Sequence, residues 1–331
     1  FSSSTPLASI YVDGVPLSVS GARGGPLELW DVESVEFLRG PQSTQQGQGA
    51  LAGAIVVNTR DPEDDTNLRA RVRRGSDDYE QQAVAVGGPL FGRFGVRIAA
   101  VSETADGAAR NITRDEPADF YERHNLRAKL GWLPREPGDG SAVLSFTRSD
   151  NLFRQSQLVG NPEDRQTLAN DPEQVDTTTD VASLRAGLPI SRHWSIEAVT
   201  GRAETDLLQQ DDYNASAEDD GIIINRFSDE TFTQEVRLNF QGLEWFGGPL
   251  RGVIGVYTSH LDGDSGLDVV DGNVLNAGPL SVYLDTQVEV DQQRQGYAFF
   301  GDLDPRNSME PAHLTVDLQR LMQREPDLLL D

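Results

Sequence analysis

The chain has no cysteine and few basic residues. Its 331 residues include 28 basic and 53 acidic side chains, for a formal net charge of −25. The absence of cysteine excludes disulfide bonds, thiolate metal sites and cysteine nucleophiles. The excess of acidic residues argues against nucleic-acid binding, because phosphates need positively charged partners. It also argues against docking on anionic lipid through a basic patch. We therefore expect no nucleic-acid partner.

Long hydrophobic runs are also missing. Hydrophobic residues make up 37% of the chain, and no run approaches the ~18 apolar residues of a membrane helix. The composition does not exclude membrane-spanning strands, because each strand of a barrel shows only one apolar face. Phe1 is followed by Ser2-Ser3-Ser4-Thr5, without the charged start and apolar core of a signal peptide. We expect either a cytosolic protein or a natural N-terminus upstream of Phe1.

Residues 1–62 differ in composition from the remainder. They are rich in Gly, Pro and Gln, with short strand-like runs between turn signals. Asp13-Gly14 suits a two-residue hairpin turn, because glycine adopts a positive φ at little cost. Gly40-Pro41 ends the strand that reaches Leu38. The pattern predicts a small mixed domain that closes at Asp61-Pro62.

From about Leu68 the sequence alternates between apolar and polar residues. One example sets two groups against each other: Leu126, Ala128, Leu130 and Trp132 against Asn125, Arg127, Lys129 and Gly131. Strand side chains point alternately to opposite faces, so each such segment has one apolar and one polar face. About ten segments share the pattern, with a further candidate at His313 to Leu318. Both a membrane barrel and a soluble β-sandwich or propeller fit this alternation.

The connections between these segments favour the membrane barrel. Short ones at 87–92 and 134–140 contrast with long acidic ones at about 152–176, 209–228 and 262–286. Outer-membrane barrels have short turns on the periplasmic side and long loops outside. Aromatic residues near the predicted strand ends suit interfacial girdles: Trp132, Trp194, Trp245 and Phe246.

Three motifs in the first 62 residues carry a family resemblance. They are Ile10-Tyr11-Val12-Asp13-Gly14-Val15-Pro16, Asp31-Val32-Glu33-Ser34-Val35-Glu36-Phe37-Leu38-Arg39-Gly40-Pro41-Gln42-Ser43-Thr44 and, after Gly47, Ala50-Leu51-Ala52-Gly53-Ala54-Ile55-Val56-Val57-Asn58-Thr59. In order and spacing they resemble the C-terminal half of the plug domain of TonB-dependent outer-membrane receptors. Residues 232–238, 253–257 and 297–301 resemble barrel strands of that family. The resemblance covers residues 8–304.

The resemblance implies a mainly β architecture with three parts. Residues 1–62 would be the C-terminal part of the plug domain, and residues 63–304 an incomplete antiparallel transmembrane β-barrel with about ten of about 22 expected strands. Residues 305–331 would be a divergent tail. The implied location is the outer membrane of a Gram-negative bacterium, in contact with its lipid.

The implied function is energised uptake of a scarce ligand without covalent chemistry or a resident cofactor. The expected ligand is a ferric siderophore, and a carbohydrate or cobalamin is the alternative. A soluble β-rich binding protein without transport is the alternative from another class. The implied partners are the small-molecule ligand and the TonB complex of the inner membrane.

Candidate site residues follow from the resemblance. Arginine suits anionic siderophores because its paired donors match carboxylate-like oxygens. The candidate ligand contacts are Arg23, Gln42, Gln45, Gln46, Arg127, Arg185 and Arg237. The plug-motif positions are Asp13, Gly14, Glu36, Arg39, Gly40, Pro41, Gly47 and Gly53. Glu36 and Arg39 are expected in a polar contact between plug and barrel wall, with a surface salt pair as the alternative.

Several features depart from the family pattern. The N-terminal half of the plug, including the segment that TonB grips, and about half of the barrel are not in the sequence. Gln45-Gln46 replaces the usual aromatic residue after Thr44. Residues 305–331 are polar and lack a terminal aromatic residue. We expect the chain to be truncated at both ends.

Other chemistry has weaker support. Gly47 to Gly53 has near-dinucleotide spacing, but its last glycine is one residue late. Asp262 to Gly266 begins like a calcium loop, but Asn273 stands where a bidentate Glu is needed. The four histidines have no metal-ligand spacing: His124, His193, His260 and His313. A glycosidase needs two carboxyl groups held about 5–9.5 Å apart, and no acidic pair stands out. We predict no enzyme and no metal site.

Overall fold

The computed structural model describes residues 8–24, 28–40, 53–136, 138–154, 162–245, 248–277, 280–305 and 314–318, most of them in β-strands. Five elements precede residue 60: β1 Ala8–Val12, β2 Val15–Pro16, α1 Val19–Gly24, β3 Val32–Arg39 and β4 Gly53–Thr59. They form a four-stranded sheet in the order β2-β1-β4-β3, in which β1 and β4 run parallel. We call residues 8–62 the plug. Among the described residues, no helix is long and apolar enough to cross a membrane.

The hairpin between β1 and β2 forms where the sequence predicted it. Val12 pairs with Val15, so the turn consists of Asp13 and Gly14 alone. Both have positive φ angles, 48° and 87°, as a two-residue turn that matches the twist of its strands requires. The turn points the Asp13 side chain into the molecule, where it is buried.

The remaining strands follow in chain order. They are β5 Asn67–Arg74, β6 Glu80–Phe91, β7 Phe94–Ala105, β8 Arg110–Asn111, β9 Glu116–Pro117, β10 Tyr121–Trp132, β11 Ser141–Arg154, β12 Gln166–Thr167, β13 Gln174–Pro189, β14 Trp194–Asp212, β15 Ile222–Trp245, β16 Gly248–Ala277, β17 Leu280–Pro305 and β18 Leu314–Leu318, with a 3-10 helix at Pro162–Asp164. β8, β9 and β12 form a small three-stranded sheet among the connections.

Eleven of these strands form one antiparallel sheet, which we call the wall. Its order is β18-β17-β16-β15-β14-β13-β11-β10-β7-β6-β5, so successive long strands are neighbours. This confirms the predicted mainly β fold with about ten alternating barrel strands. The candidate at His313 to Leu318 is confirmed as a strand too, because Leu314–Leu318 pairs with Phe299 to Leu303 of β17.

The two faces of the wall reverse the pattern of a soluble protein. On β11 the small polar residues Ser145, Thr147 and Ser149 are buried, whereas Leu144 and Phe146 are 52% and 41% exposed. The polar residues face the plug and are buried because it covers them, and the large apolar residues face outward. That outward face suits lipid rather than water. The predicted alternative of a soluble sandwich or propeller is wrong for this reason.

The connections differ in part from the prediction. The 134–140 turn is confirmed between β10 and β11, but the turn after β6 is only Gly92-Arg93, because Gly87 and Gly88 pair with β7. The predicted loop at 262–286 is wrong: its residues belong mainly to β16 and β17, which pair with each other. Asp and Gly disfavour strands in isolation, but here ladder pairing on both sides of β16 satisfies their backbone groups.

The plug and the wall pack together through apolar residues. Val12, Val15 and Leu17 of the plug pack with Val181 of β13 and Ala203 of β14. The wall therefore curves around the plug, and its inner face is the surface on which functional side chains meet the plug.

Candidate functional site

A buried carboxylate anchors the plug to the first strands of the wall. Asp31 precedes β3 with a positive φ of 60°. It accepts hydrogen bonds from Arg97 of β7 at 2.6 Å from Nε and 2.5 Å from Nη2, and one from Arg69 of β5 at 3.2 Å. The Asp31 and Arg97 side chains are each 3% exposed. This two-pronged charged contact fixes orientation as well as distance.

Trp30 fills the space beside that carboxylate. Its indole Nε1 donates to the Val84 carbonyl of β6 at 3.1 Å, and its ring packs with small residues of β6 and β7 such as Ala85 and Ala99. The guanidinium carbons of Arg69 and Arg71 lie 4.9 and 4.6 Å from the ring centroid. Such cation–π contacts are attractive, the more so when shielded from water.

Arg127 of β10 holds the same plug segment through its backbone. Its Nη1 donates to the Trp30 carbonyl and its Nη2 to the Glu28 carbonyl, the latter at 2.5 Å. The Arg127 side chain is buried. Its Nε has no hydrogen-bond partner among the described residues. Backbone carbonyls thus accept the hydrogen bonds that this guanidinium donates to the plug.

Lys129 is the single lysine of the chain. It lies two residues after Arg127 on β10, on the same face of the strand. Its ammonium donates to Asp13 Oδ1 at 3.0 Å, to the Thr59 carbonyl at 2.9 Å and to Asp61 Oδ1 at 2.9 Å. All three donors of the ammonium are used, which suits a compact tetrahedral group better than a planar guanidinium. Lys129 therefore joins the β1–β2 turn, the end of β4 and the segment that leads into the wall.

Asp13 and Asp61 differ in burial although both accept from Lys129. Asp13 is 2% exposed and also accepts from the backbone and hydroxyl of Thr59 at 2.9 and 2.6 Å. Asp61 is 37% exposed and also accepts from Arg185 of β13 at 2.7 Å. Burial on its own would raise the pKa of Asp61, but attraction and hydrogen bonds from Lys129 and Arg185 outweigh it and lower that pKa.

The plug meets β14 to β16 in a different way. Glycines bring the backbones close: a Cβ added at Gly201 of β14 would lie 3.0 Å from Val15 Cγ1, and one added at Gly14 would lie 3.1 Å from Val199 Cγ1. Tyr11 is buried near Glu235 of β15, and its burial, with a smaller effect from that carboxylate, raises the pKa of Tyr11. Apolar contacts and the carboxylate of Glu235 therefore meet the plug here, and Arg23 of α1 lies within electrostatic range of Asp211 of β14.

The predicted ligand contacts fall in several places. Arg127 and Arg185 lie at the plug–wall contacts described above, and Arg23 lies in the last turn of α1. Arg237 donates to Glu235, and its guanidinium lies 5.8 Å from the Phe300 ring centroid. Gln42, Gln45 and Gln46 lie outside the described residues. A role in ligand binding stays a prediction for all seven.

The plug-motif residues are likewise distributed over turns and strands. Glu36 accepts from Asn58 within the plug sheet at 3.5 Å, and Arg39 is the last residue of β3. Gly40 and Gly53 have φ angles of 81° and 146°. Pro41 and Gly47 lie outside the described residues. The contact of Glu36 and Arg39 with the wall stays a prediction.

Several central residues were not predicted from the sequence. Trp30 and Arg97 were not singled out. Asp31 was named only as the start of a motif, Asp61 only as the end of a domain, and Lys129 only as part of an alternating strand. A signal was present: Arg97 and Lys129 are long charged side chains on the faces of β7 and β10 that also carry small residues such as Ala99 and Asn125. Within the described ranges, no three His, Asp or Glu side chains converge as metal ligands do.

Comparison with known sequences supports the plug assignment. Residues 1–54 match the family model of the TonB-dependent Receptor Plug Domain. The pesticin receptor of Yersinia pestis is 39% identical over 88 residues, which is 26% of this chain and 12% of that receptor. The catecholate siderophore receptor Fiu of Escherichia coli K12 is 27% identical over 108 residues, which is 33% of this chain and 14% of that receptor.

Comparison with solved structures extends the likeness to the wall. The ferric yersiniabactin uptake receptor FyuA of Yersinia pestis superposes with a TM-score of 0.75 at 19% identity, over 92% of this chain and 46% of that one. The pyoverdine receptor FpvA of Pseudomonas aeruginosa gives 0.72 at 12% identity, over 93% and 51%. The chain thus spans about half of the length of these receptors.

Proposed function

Because this chain resembles TonB-dependent outer-membrane receptors in plug sequence and in the fold of plug and wall, we propose that it serves the energised uptake of a ferric siderophore. One observation carries the proposal: a plug is held by buried charged contacts inside a wall whose outer face is apolar. A plug held by such contacts needs an energy input before a solute can pass. The proposed partners are outer-membrane lipid, the TonB complex and the siderophore.

The class of ligand is inferred from the relatives. The names of Fiu and FyuA specify a catecholate siderophore and ferric yersiniabactin, both iron carriers. For this chain we propose ligand contacts at Arg23, Gln42, Gln45 and Gln46 of the plug and at Arg237 of the wall. Arg127 and Arg185 would first have to release their carbonyl and carboxylate partners in the plug.

Uptake of iron by cells tests the proposal. The complete reading frame around this chain is expressed in a strain that lacks its own siderophore receptors, and radioactive iron is supplied on catecholate, phenolate and hydroxamate carriers. We expect uptake with at least one carrier, and loss of that uptake when tonB is deleted. The Arg237→Ala variant should bind the carrier less tightly, whereas an Arg74→Ala variant, altered at an exposed pair with Glu80, serves as the control.

Three results would contradict this function. Recovery of the protein in the soluble fraction would exclude a receptor of the membrane. Uptake of cobalamin or a maltodextrin, with no ferric carrier accepted, would assign another ligand class. Uptake that continues without TonB would remove the energised step.

A further inference from the structure

A groove crosses the outer face of the wall near its short turns. It encloses about 410 Å³ and lies over β10, β11, β13 and β14. Its floor is a row of small side chains, because Ala142 pairs with Ala186 and Ala186 pairs with Ala198 across three strands. Larger apolar side chains border this floor: Trp132, Leu188 and Ile196. We call this recess the groove.

The groove is a depression within the apolar outer face rather than a flat part of it. The next row of the wall has large side chains, because Leu130 pairs with Leu144 and Leu144 with Leu184, and all three are exposed. On another side, the ring of Trp132 packs edge-on against that of Phe94, with centroids 5.3 Å apart. A slender apolar chain in the groove would therefore contact the sides as well as the floor.

A cation lies at the end of the groove that faces the short turns. Arg93 of the β6–β7 turn lines the groove, and its Nη2 lies 2.9 Å from Oδ2 of Asp139. Asp139 also accepts hydrogen bonds from the backbone amides of Arg135 and Glu136 at 3.0 and 2.9 Å, so three donors share its charge. A guanidinium has five N–H donors. Arg93 can therefore pair with Asp139 and still donate to a second anion.

The short turns are the less acidic end of these strands. Three arginines and two carboxylates lie in the turns at 92–93, 133–140 and 190–193. Three arginines and eleven carboxylates lie in the connections at the other end, which are 106–120, 155–173 and 213–221. An anionic group is therefore attracted to Arg93 with little opposition, whereas the acidic end of the strands would repel it.

An apolar groove with a cation at one end matches a ligand with a long apolar chain and an anionic head. We propose that the groove binds one glycerophospholipid, whose acyl chain lies over Ala142, Ala186 and Ala198 and whose phosphate contacts Arg93. Short turns of outer-membrane barrels lie on the periplasmic side, so this lipid would belong to the leaflet nearer the periplasm. The inference rests on the proposed location in the outer membrane, and it is independent of which solute is taken up.

Fluorescence of Trp132 tests the site. The protein of the complete reading frame is purified in a non-ionic detergent and titrated with phosphatidylglycerol that has bromine atoms in its acyl chains, because bromine quenches tryptophan at short range. Trp132→Phe keeps an aromatic side chain at the border, so the fluorescence that this variant lacks reports on the groove. We expect that part of the fluorescence to be quenched in a saturable way, with a single lipid bound.

Two substitutions test the apolar and the charged part of the site separately. Ala186→Phe fills the floor and should abolish saturable quenching. Its control is Ala182→Phe, four residues earlier on the same face of β13 and outside the groove, which should bind like the unchanged protein. Arg93→Gln should weaken the binding of phosphatidylglycerol about fivefold. Arg74→Gln, altered at the exposed pair with Glu80, should leave it unchanged.

Two further probes show what the anionic head contributes. Brominated diacylglycerol has the same chains without a phosphate, so it should bind more weakly and should not respond to Arg93→Gln. Inorganic phosphate, which has no acyl chain, should not displace the lipid. The diacylglycerol comparison needs no substitution, so it tests the phosphate contact even if Ala186→Phe does not fold.

Several outcomes would overturn the proposal. Quenching that rises linearly with lipid and persists in Ala186→Phe would mean that only bulk lipid covers this face. Equal binding of diacylglycerol would remove the phosphate contact, and displacement by inorganic phosphate would mean an anion site without an acyl chain. If no siderophore is taken up but quenching saturates as expected, the uptake function fails and the lipid site stands. If uptake occurs but quenching does not saturate, the lipid site fails and the function stands.

Discussion

We expect burial to decide how much each carboxylate that pairs with Lys129 contributes to the stability of the plug–wall contact. Asp13 and Asp61 accept from the same ammonium at 3.0 and 2.9 Å, yet they are 2% and 37% exposed. Asp13→Asn leaves a buried cation short of one counter-charge, for which the cost is about 3 kcal/mol, at the low end of the range for a broken buried pair because Asp61 remains. Asp61→Asn alters a contact open to water, worth about 0–1 kcal/mol.

The single lysine allows the opening to be measured directly. Acetylation of Lys129 requires the plug to leave β10, so its rate follows the open fraction. With about 1.4 kcal/mol per factor of ten, Asp13→Asn should accelerate acetylation roughly 100-fold, and Asp61→Asn at most about fivefold. The peptide that contains residue 129 is quantified by mass spectrometry on protein in outer-membrane vesicles.

The control is the unchanged protein after urea unfolding, which sets the rate of a fully exposed amine. If Asp61→Asn accelerates labelling as much as Asp13→Asn, proximity rather than burial governs the contact and the reasoning is wrong. The same conclusion follows if neither substitution changes the rate.

Three further outcomes are expected. The pKa of Asp61 is lowered in the folded state. The stability that its ion pairs contribute is therefore present above the ordinary carboxyl pKa of about 4 and is lost as the pH falls below it. Urea unfolding measured across this pH range should show that pH dependence in the unchanged protein and should lack it in Asp61→Asn. Gly255→Ala would place a Cβ 2.7 Å from Cε1 of Phe300 and should cost about 1–3 kcal/mol, measured by thermal unfolding and reduced by Phe300→Leu in the same protein. Leu184→Arg on the outer face should cost about 2–4 kcal/mol for refolding into lipid vesicles, against less than about 1.5 kcal/mol for Leu184→Ile; equal costs would argue against a lipid-facing side.

Much of the wall could be predicted from residue alternation. A period of two is a local property, so the segment from Asn125 to Trp132 shows both faces in eight residues without knowledge of its neighbours. The same holds for the β1–β2 turn, because Asp13-Gly14 selects its own geometry. The boundaries of the plug, the wall and the tail at 62 and 304 stay predictions.

The long hairpin from β16 to β17 could not be predicted in this way. Its segment at 262–286 is rich in Asp and Gly, which lowers local strand preference. Its strands form because long-range ladders hold them: β17 pairs with β16, and much of β16 pairs on both sides, as Asp264 does with Ser228 and Asp291. Long-range pairing outweighed local preference at this place.

The contacts of the site escaped prediction for a related reason. Lys129 and Asp13 are 116 residues apart, and Arg127 meets the carbonyl of Trp30 across 97. Alternation shows that Arg127 and Lys129 face inward, but it contains nothing about what occupies the inside. The resemblance predicts that a plug is present, but it does not predict which plug residue contacts which strand of the wall.

The length of β16 has a consequence for what the cell surface presents. After its outward-facing apolar residues Ile254 and Val256, the same face continues with Thr258, His260, Asp262 and Asp264. The 20 residues from Thr258 to Ala277 therefore rise about 65 Å along the strand beyond the apolar belt, at about 3.3 Å per residue. In a barrel that spans a membrane, this acidic extension of β16 would stand in water, and an approaching macromolecule would meet it before it could touch the apolar belt.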